Sequence, residues 1–362
     1  MFYQKVLRPI LFKTDPEKIH HLVIAGLAIA SSIKPIYKVV REFLNVNDPI
    51  LSTKIGRVVL KNPIGLAAGF DKNISAPLAY SMLGFGHEEL GSITFSEQAG
   101  NSKPRLWRIP KDKGLIVYYG LANCGVDKVV EKLKKINIHP IPFGVSIAPT
   151  TGLLLEQMAD DYVSSFEKLV SFADYITLNV SCPNVANFDM FAQVSFIEEL
   201  IEKINISKNK LNSTIDIFVK IGPDMTLDQY DEIIKICIQN NITAIISTNL
   251  VKNRSNIAPL SSVAELSHPG GISGKLVGDK NLEIIKYLYR RANGKIKIIG
   301  VGGIFSAEDA YKKIKAGASA LQLITGFIYG GPVTIKKINE GLIDLIKKDG
   351  YKNISEAVGK EA

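Results

Sequence analysis

An α/β fold is predicted by the length of this sequence, by its composition and by its pattern of apolar residues. The chain has 362 residues, of which 46% are hydrophobic and 22% charged, as in a globular protein with a large core. From residue 50 onward, short runs rich in Val, Ile and Ala alternate with longer amphipathic stretches. Eight such units predict a (β/α)8 TIM barrel over residues 46–362, preceded by a small N-terminal α-helical extension over residues 1–45.

The extension is predicted to contain a helix that begins near Pro16. Asp15 is a favourable N-cap residue, proline is favoured at the first helical position, and Glu17 adds an acid to the first turn. The apolar run at 22–30 is shorter than the ~20 residues that a membrane-spanning helix needs, and the acids before it disfavour a signal peptide. Basic and aromatic residues flank the run. Two interpretations stay open: a segment lying in a membrane interface, or helices packed on the barrel.

The eight barrel strands are predicted from the apolar runs. They lie at 64–67, 89–94, 143–147, 175–180, 217–221, 244–248, 296–301 and 320–324. Amphipathic segments at 162–173, 196–206, 227–239 and 307–316 predict helices between them. The strand-like segment 54–60 is expected to cover the bottom of the barrel.

The residues just beyond the strand ends should form the active site, as is usual for barrels of this kind. They are mostly polar residues and glycines: Gly69, Asp71, Lys72, Ser92, Ser146, Asn179, Cys182, Asn184, Lys220, Asn249, Gly302, Gly303, Thr325 and Gly326. Gly302-Gly303 and Thr325-Gly326 follow the seventh and eighth strands, and 270–274 is a third glycine-rich turn. Backbone N–H groups at these turns predict a ligand that carries a phosphate.

Two further groups at the strand ends indicate chemistry. Lys220 ends a buried apolar strand, where its ammonium group should face something electron-rich; a Schiff-base partner and a flavin ring both satisfy this. Asn179, Cys182 and Asn184 follow the fourth strand, where the amides suit a planar heterocycle and the thiol could move a proton. A buried structural cysteine is the alternative for Cys182.

Charge and cysteine content disfavour several classes of protein. The net charge is +9, from 44 Lys+Arg and 35 Asp+Glu, but the basic residues do not form the aromatic-rich cluster typical of nucleic-acid binding. The three cysteines lack the spacing of metal ligands, so no metal site is predicted. A reducing compartment is expected for so sparse a set of cysteines.

Five motifs carry a family resemblance. NPIGLAAGFDK at 62–72, GNSKPRLWR at 100–108, NVSCPN at 179–184, VKI at 219–221 and GVGGI at 300–304 resemble dihydroorotate dehydrogenase. The segments 15–20, 330–332 and 354–359 resemble the quinone-linked, membrane-associated class (class 2) of that family. The resemblance implies an FMN enzyme that oxidises (S)-dihydroorotate to orotate in pyrimidine biosynthesis and passes the electrons to a quinone. It also implies a peripheral membrane protein on the cytoplasmic face of a bacterial inner membrane, with 1–45 as the membrane-associating, quinone-binding segment.

The resemblance also assigns roles to single residues. Cys182 would take the substrate proton, with Lys72 as the second catalytic residue. FMN would be held by Ala68, Gly69, Lys72, Ser92, Ser146, Asn179, Lys220, Thr248, Gly274, Gly303, Thr325 and Gly326. The substrate would be held by Lys72, Asn179, Asn184 and Asn249, and the quinone by His20 and Arg108.

Four positions depart from the family pattern. Cys182 stands where the quinone-linked class usually has serine, and a thiol should act as a base at lower pH than a hydroxyl. Val117 and Ser146 occupy positions of asparagines, and Ile324 that of a tyrosine. Valine cannot replace a hydrogen bond to the substrate. Two alternatives therefore stay open: an FMN oxidoreductase for a different cyclic substrate, or a flavin-binding homologue that has lost turnover.

Overall fold

The computed structural model describes residues 2–136, 139–181, 194–255 and 257–362, and its centre is a closed barrel of eight parallel strands. The strands are Ile64–Leu66, His87–Ile93, Phe143–Ile147, Tyr175–Asn179, Asp216–Ile221, Ala244–Ser247, Lys297–Val301 and Ala318–Leu323. Strands that are consecutive along the chain are neighbours in the barrel, and the eighth pairs with the first. The predicted TIM barrel is confirmed.

Helices surround the barrel and precede it. The helices preceding it are Tyr3–Leu7, a π-helical turn that continues into Arg8–Leu11, then Pro16–Ser32 and Lys34–Leu44. The later α-helices are Ala79–Met82, Val126–Leu133, Leu155–Leu169, Val194–Lys210, Leu227–Gln239, Val263–Leu266, Gly278–Ala292, Ala307–Lys315, Thr325–Gly330 and Thr334–Lys348. Short 3-10 turns lie at Pro49–Leu51, Pro110–Asp112, Lys275–Val277 and Ile354–Ala357.

The helix Leu227–Gln239 has the bounds that the sequence predicts, because its start is fixed by local contacts. The Thr226 hydroxyl accepts a hydrogen bond from the Gln229 backbone N–H, and the Gln229 side chain accepts one from the Thr226 N–H. This reciprocal pair satisfies two donors that the helix itself cannot. The side chains of Tyr230 and Ile233 are buried, so one face of the helix packs against the core.

A three-stranded antiparallel sheet, which the sequence did not predict, is built from two long insertions of the barrel: residues 94–142, between the second and third strands, and residues 248–296, between the sixth and seventh. Leu106–Ile109 pairs with Gly114–Val117 inside the first insertion. Gly271–Gly274, from the second insertion, pairs with the other edge of Gly114–Val117. The sheet brings Val117 next to Gly271, although 154 residues separate them, and so joins two walls of one site.

The opposite, amino-terminal end of the barrel is closed by a hairpin. Its strands are Thr53–Ile55 and Val58–Leu60, and the residues Ile55, Val58 and Leu60 are buried. They pack against barrel-lining side chains that include Tyr175 and Phe218. The expectation that 54–60 covers the bottom of the barrel is confirmed.

The helix Pro16–Ser32 begins where the sequence predicts. The Asp15 side chain accepts a hydrogen bond from the Lys18 backbone N–H, 2.8 Å away, and caps the helix Pro16–Ser32. Among the described residues, no single helix is both long and apolar enough to cross a bilayer; Pro16–Ser32 and Lys34–Leu44 reach that combination only together, with a 103° bend between them.

Candidate active site

A cavity lies over the carboxyl ends of the barrel strands. Its empty space is about 1310 Å³, counted together with the solvent at its mouth. The sequence-predicted site residues that line it are His20, Ala68, Gly69, Lys72, Ser92, Asn179, Lys220, Thr248, Asn249, Gly274, Gly302, Gly303, Thr325 and Gly326. Cys182 and Asn184 lie outside the described residues. The topology therefore gathers fourteen predicted residues, which are scattered over the sequence, around one space.

Among the described residues, three predicted site residues do not line the cavity: Ser146, Arg108 and Asp71. Ser146 is fully buried, and its hydroxyl lies 2.8 Å from the hydroxyl of Ser92, so it supports Ser92 from behind. Arg108 donates hydrogen bonds to the backbone oxygens of Phe12 and Thr14 and lies over the Phe12 ring. Ser146 therefore does not face the cavity, contrary to the expectation that it contacts the cofactor directly. Arg108 holds the N-terminal segment against the sheet.

Asp71, which the sequence places at the end of the first strand, also faces away from the cavity. Its carboxylate accepts hydrogen bonds from the backbone N–H groups of Ser75 and Ala76 and from the Tyr80 hydroxyl. The role of Asp71 is therefore to fix the loop that carries its neighbour Lys72.

An amide network fixes the polar wall of the cavity. The Asn179 amide donates to the Ser92 hydroxyl at 2.8 Å, and its oxygen accepts from the Ser181 hydroxyl at 2.9 Å. The Asn249 amide donates to the backbone oxygen of Ser181 at 3.1 Å. Because each side chain is held by a neighbour, the amides at the ends of the fourth and sixth strands are oriented before any ligand arrives.

Lys72 is the cation at the end of the first strand. Burial lowers the pKa of its ammonium group to about 8, while the carboxylates of Asp71 and Glu17 oppose that shift. The ammonium lies 3.9 Å from the centroid of the Tyr119 ring, a distance typical of a cation–π contact. A lysine with this pKa is charged at neutral pH and loses its proton slightly above it.

Lys220 has an acidic partner inside the barrel. Its ammonium lies 3.5 Å from Glu89, and both side chains are almost completely buried. Glu89 also accepts hydrogen bonds from Thr177 at 2.8 Å and from the Gln322 amide at 3.1 Å. The cost of burying the lysine is thus offset by a carboxylate that is itself fully bonded.

The glycines after the seventh and eighth strands form a cradle that tolerates no side chain. Gly303 has φ +71°, and a Cβ atom there would lie 2.3 Å from the Cα of Gly278. A Cβ at Gly326 would lie 1.9 Å from the backbone oxygen of Ile304. Beside them, the Thr325 and Ser273 hydroxyls lie 2.8 Å apart. Closely approachable backbone and clustered hydroxyls fit a phosphate group.

The opposite wall is supplied by the N-terminal helices. The His20 ring contacts the Phe70 ring edge-on, with 5.1 Å between their centroids. Burial, with the nearby charge of Lys72, lowers the pKa of His20 to about 2, so its imidazole is neutral. Glu17, on the same helix, is anchored to the barrel insertion by Arg105 at 2.9 Å.

Comparison with known proteins identifies this arrangement. A family model described as dihydroorotate dehydrogenase matches residues 50–346. The chain belongs to the dihydroorotate dehydrogenase family. It is therefore a member of a family of oxidoreductases.

Relatives of the chain in the dihydroorotate dehydrogenase family match it over nearly its whole length. A protein of Corynebacterium efficiens named dihydroorotate dehydrogenase (quinone) is 37% identical, over 96% of this chain and 91% of its own. One of the same name from Nocardia farcinica is 35% identical, over 99% and 97%. The ligand-free crystal structure of the Eimeria tenella dehydrogenase superposes with a TM-score of 0.87, 30% identity and coverage of 96% and 99%.

Sequence reasoning missed three residues of this dihydroorotate dehydrogenase site: Glu89, Tyr119 and Arg105. The signal for Glu89 was present, because a lysine on a buried strand requires a carboxylate on another strand. Tyr119 and Arg105 lie in a long insertion whose folding depends on the unpredicted sheet. Nothing in the sequence alone placed them beside Lys72.

Proposed function

We propose that this chain oxidises (S)-dihydroorotate to orotate with bound FMN and passes the electrons to a quinone, within pyrimidine biosynthesis. The observation that carries the proposal is the single cavity, in which Lys72, Lys220 and the amides of Asn179 and Asn249 converge with the glycine cradle. Membership of the dihydroorotate dehydrogenase family supports the substrate, and the quinone in the names of the relatives supports the acceptor.

FMN fits the residues that are present. The glycine cradle at Gly303 and Gly326, with the Thr325 hydroxyl, would hold its phosphate, and Ser92, Asn179, Lys220, Thr248 and Gly274 would surround the rest. FMN, when bound, accepts a hydride from the substrate and releases electrons to the quinone. Lys220 would contribute a positive charge, and Ser146 would act only through Ser92.

The substrate would be held by a cation and several amides. Lys72, charged below a pKa of about 8, pairs with a carboxylate, and Asn179 and Asn249 can donate to and accept from a cyclic amide. Asn184 would complete this set, and Cys182 would take the proton, both on the grounds of sequence. A thiol with an ordinary pKa of about 8.5 ionises in part near neutral pH, as a general base requires.

A second candidate function is favoured by the apolar part of the cavity. Val117, Leu115 and Leu250 line it, and Val117 stands where the family pattern has an asparagine. Loss of one hydrogen bond to a buried polar ligand costs ~1–3 kcal/mol. A cyclic substrate with one polar group fewer would not incur this cost, so an FMN oxidoreductase for such a ring is the alternative.

The N-terminal helices are proposed to rest on a membrane and to receive the quinone near His20, with Arg108 fixing the segment. Leu22, Ile29 and Val39 are 65%, 64% and 66% exposed, which is unusual for large apolar side chains grouped on neighbouring helices. Such a surface suits the interface of a bilayer rather than its interior. A peripheral position on the cytoplasmic face of a bacterial inner membrane is the corresponding expectation.

One experiment tests the function. The purified protein should be yellow, and dihydroorotate added without oxygen should bleach the visible absorbance of its flavin; a quinone should then restore it. Bound flavin that saturating dihydroorotate leaves unchanged would reject the substrate and favour the second candidate. Protein that binds no flavin at all would reject both.

A further inference from the structure

The carboxylate of Glu89 is placed to control the charge that Lys220 presents to the cavity. Lys220 lines the cavity, while Glu89 lies inside the barrel with no exposed surface. Their separation of 3.5 Å makes them an ion pair, and Thr177 and Gln322 hold the carboxylate in place from two other strands. Charges act strongly on one another in such an interior, because little water is present to screen them.

We propose that Glu89, acting through Lys220, lowers the reduction potential of a flavin bound in the cavity. The proposal rests on the proposed function, because it requires a flavin. Reduction adds negative charge to a flavin, so a lone ammonium group beside it would favour the reduced form. The carboxylate cancels most of that ammonium charge, and the reduced form is correspondingly less favoured. Glu89 is thus a positioning residue that touches Lys220 and not the reacting atoms.

This balance affects both halves of the reaction. Two electrons leave the substrate for the flavin and then leave the flavin for the quinone. An unopposed Lys220 would make the first transfer more favourable and the second less so. The neutralised pair keeps the flavin reducing enough to pass its electrons on.

The chain offers a matched control on the same strand. Glu88 is the preceding residue and is fully buried, but because successive side chains of a strand alternate, it faces the surrounding helices. Neither of its oxygens has a hydrogen-bond partner among the described residues, and burial raises its pKa well above the usual range. Glu88→Gln therefore changes a buried carboxyl group of the same strand that makes no ion pair with Lys220.

The test is the reduction potential of the flavin bound to the full-length protein, measured against a reference dye of known potential. Glu89→Gln should make the potential more positive by at least about 30 mV. For a two-electron couple, this shift corresponds to about a tenfold change in the equilibrium constant for flavin reduction. Glu88→Gln should leave it at the wild-type value. An unchanged or more negative potential in Glu89→Gln, or an equal shift in Glu88→Gln, would overturn the proposal.

A second variant tests the proposal if Glu89→Gln fails to fold or to bind flavin. Glu89→Asp keeps the charge but withdraws it from Lys220 by one methylene group, and should shift the potential in the same direction by a smaller amount. Loss of flavin from both Glu89 variants, with flavin retained in Glu88→Gln, would assign Glu89 to assembly of the site and overturn the proposal. A wild-type protein without flavin would instead reject the proposed function.

Discussion

The ammonium group of Lys72 lies against the face of the Tyr119 ring, 3.9 Å from its centroid. The guanidinium of Arg105 lies 5.0 Å from the same ring and also binds Glu17 on the N-terminal helix. The lysine of the site is therefore connected, through one aromatic ring and one ion pair, to the segment that would contact the membrane.

The Tyr119 ring should matter for substrate binding more than its hydroxyl does. Tyr119→Leu removes a cation–π contact worth about 0.5–2 kcal/mol and should raise the KM for dihydroorotate by roughly twofold to thirtyfold. Tyr119→Phe keeps the ring, and the hydroxyl that it removes has no hydrogen-bond partner among the described residues. Steady-state kinetics of both variants measure the difference. Equal KM values in the two would show that the ring does not hold Lys72.

The dependence of kcat/KM on pH should show the ionisation of Lys72 and the effect of the Glu17 charge on the Lys72 pKa. A carboxylate substrate needs the charged lysine, so kcat/KM should fall as pH rises through the Lys72 pKa of about 8. The negative charge of Glu17 raises that pKa, and Glu17→Gln should move the fall to lower pH. Glu97→Gln is the control, because Glu97 is exposed and, within the described part of the chain, forms an ion pair only with Lys128. An unmoved profile in Glu17→Gln would mean that the two groups are not coupled.

Cys182 should be required for flavin reduction but not for flavin binding. Cys182→Ala removes the proposed base and should leave a yellow protein that dihydroorotate reduces extremely slowly. Cys182→Ser should retain some activity with its rise displaced to higher pH, because a hydroxyl ionises far less readily than a thiol. Rapid-mixing measurements of flavin bleaching decide this. Wild-type rates in Cys182→Ala would assign the proton to another group.

A side chain in the glycine cradle should prevent flavin binding because it lacks space, and not because of backbone strain alone. Gly303→Ala would place a Cβ atom 2.3 Å from Gly278, so we expect the protein to be purified without flavin. Gly294→Ala introduces a similar strain, at φ +74°, but its Cβ would meet nothing within 4 Å. It should keep its flavin at a small cost in thermal stability. Full flavin content in Gly303→Ala would contradict the phosphate position.

The exposed apolar side chains of the N-terminal helices should govern association with lipid vesicles. The double variant Val39→Ser and Phe43→Ser removes two side chains that are 66% and 64% exposed, so binding should weaken without loss of folding. Leu154→Ser is the control, since Leu154 is 61% exposed but immediately precedes the barrel helix Leu155–Leu169. Cosedimentation with vesicles measures the effect. Equal loss in both would argue against a specific surface.

The sequence predicts features that local contacts determine, and it does not predict those that depend on contacts between distant parts of the chain. The helix Leu227–Gln239 has its predicted bounds because Thr226 and Gln229 cap it locally. The second barrel strand begins at His87 and not at residue 89, because its extent depends on pairing with another strand. Lys220 was recognised as needing a partner, but only the closed barrel shows that the partner is Glu89.

The hairpin beneath the barrel closes the amino-terminal end of its interior. Ile55, Val58 and Leu60 close the lower end, so the proposed cofactor, substrate and quinone would approach the described part of the cavity from the end that carries the N-terminal helices. Ligands that share one entrance would bind in a fixed order. FMN held at the glycine cradle would have to bind before the quinone, because a quinone resting on the N-terminal helices would lie between the cradle and solvent.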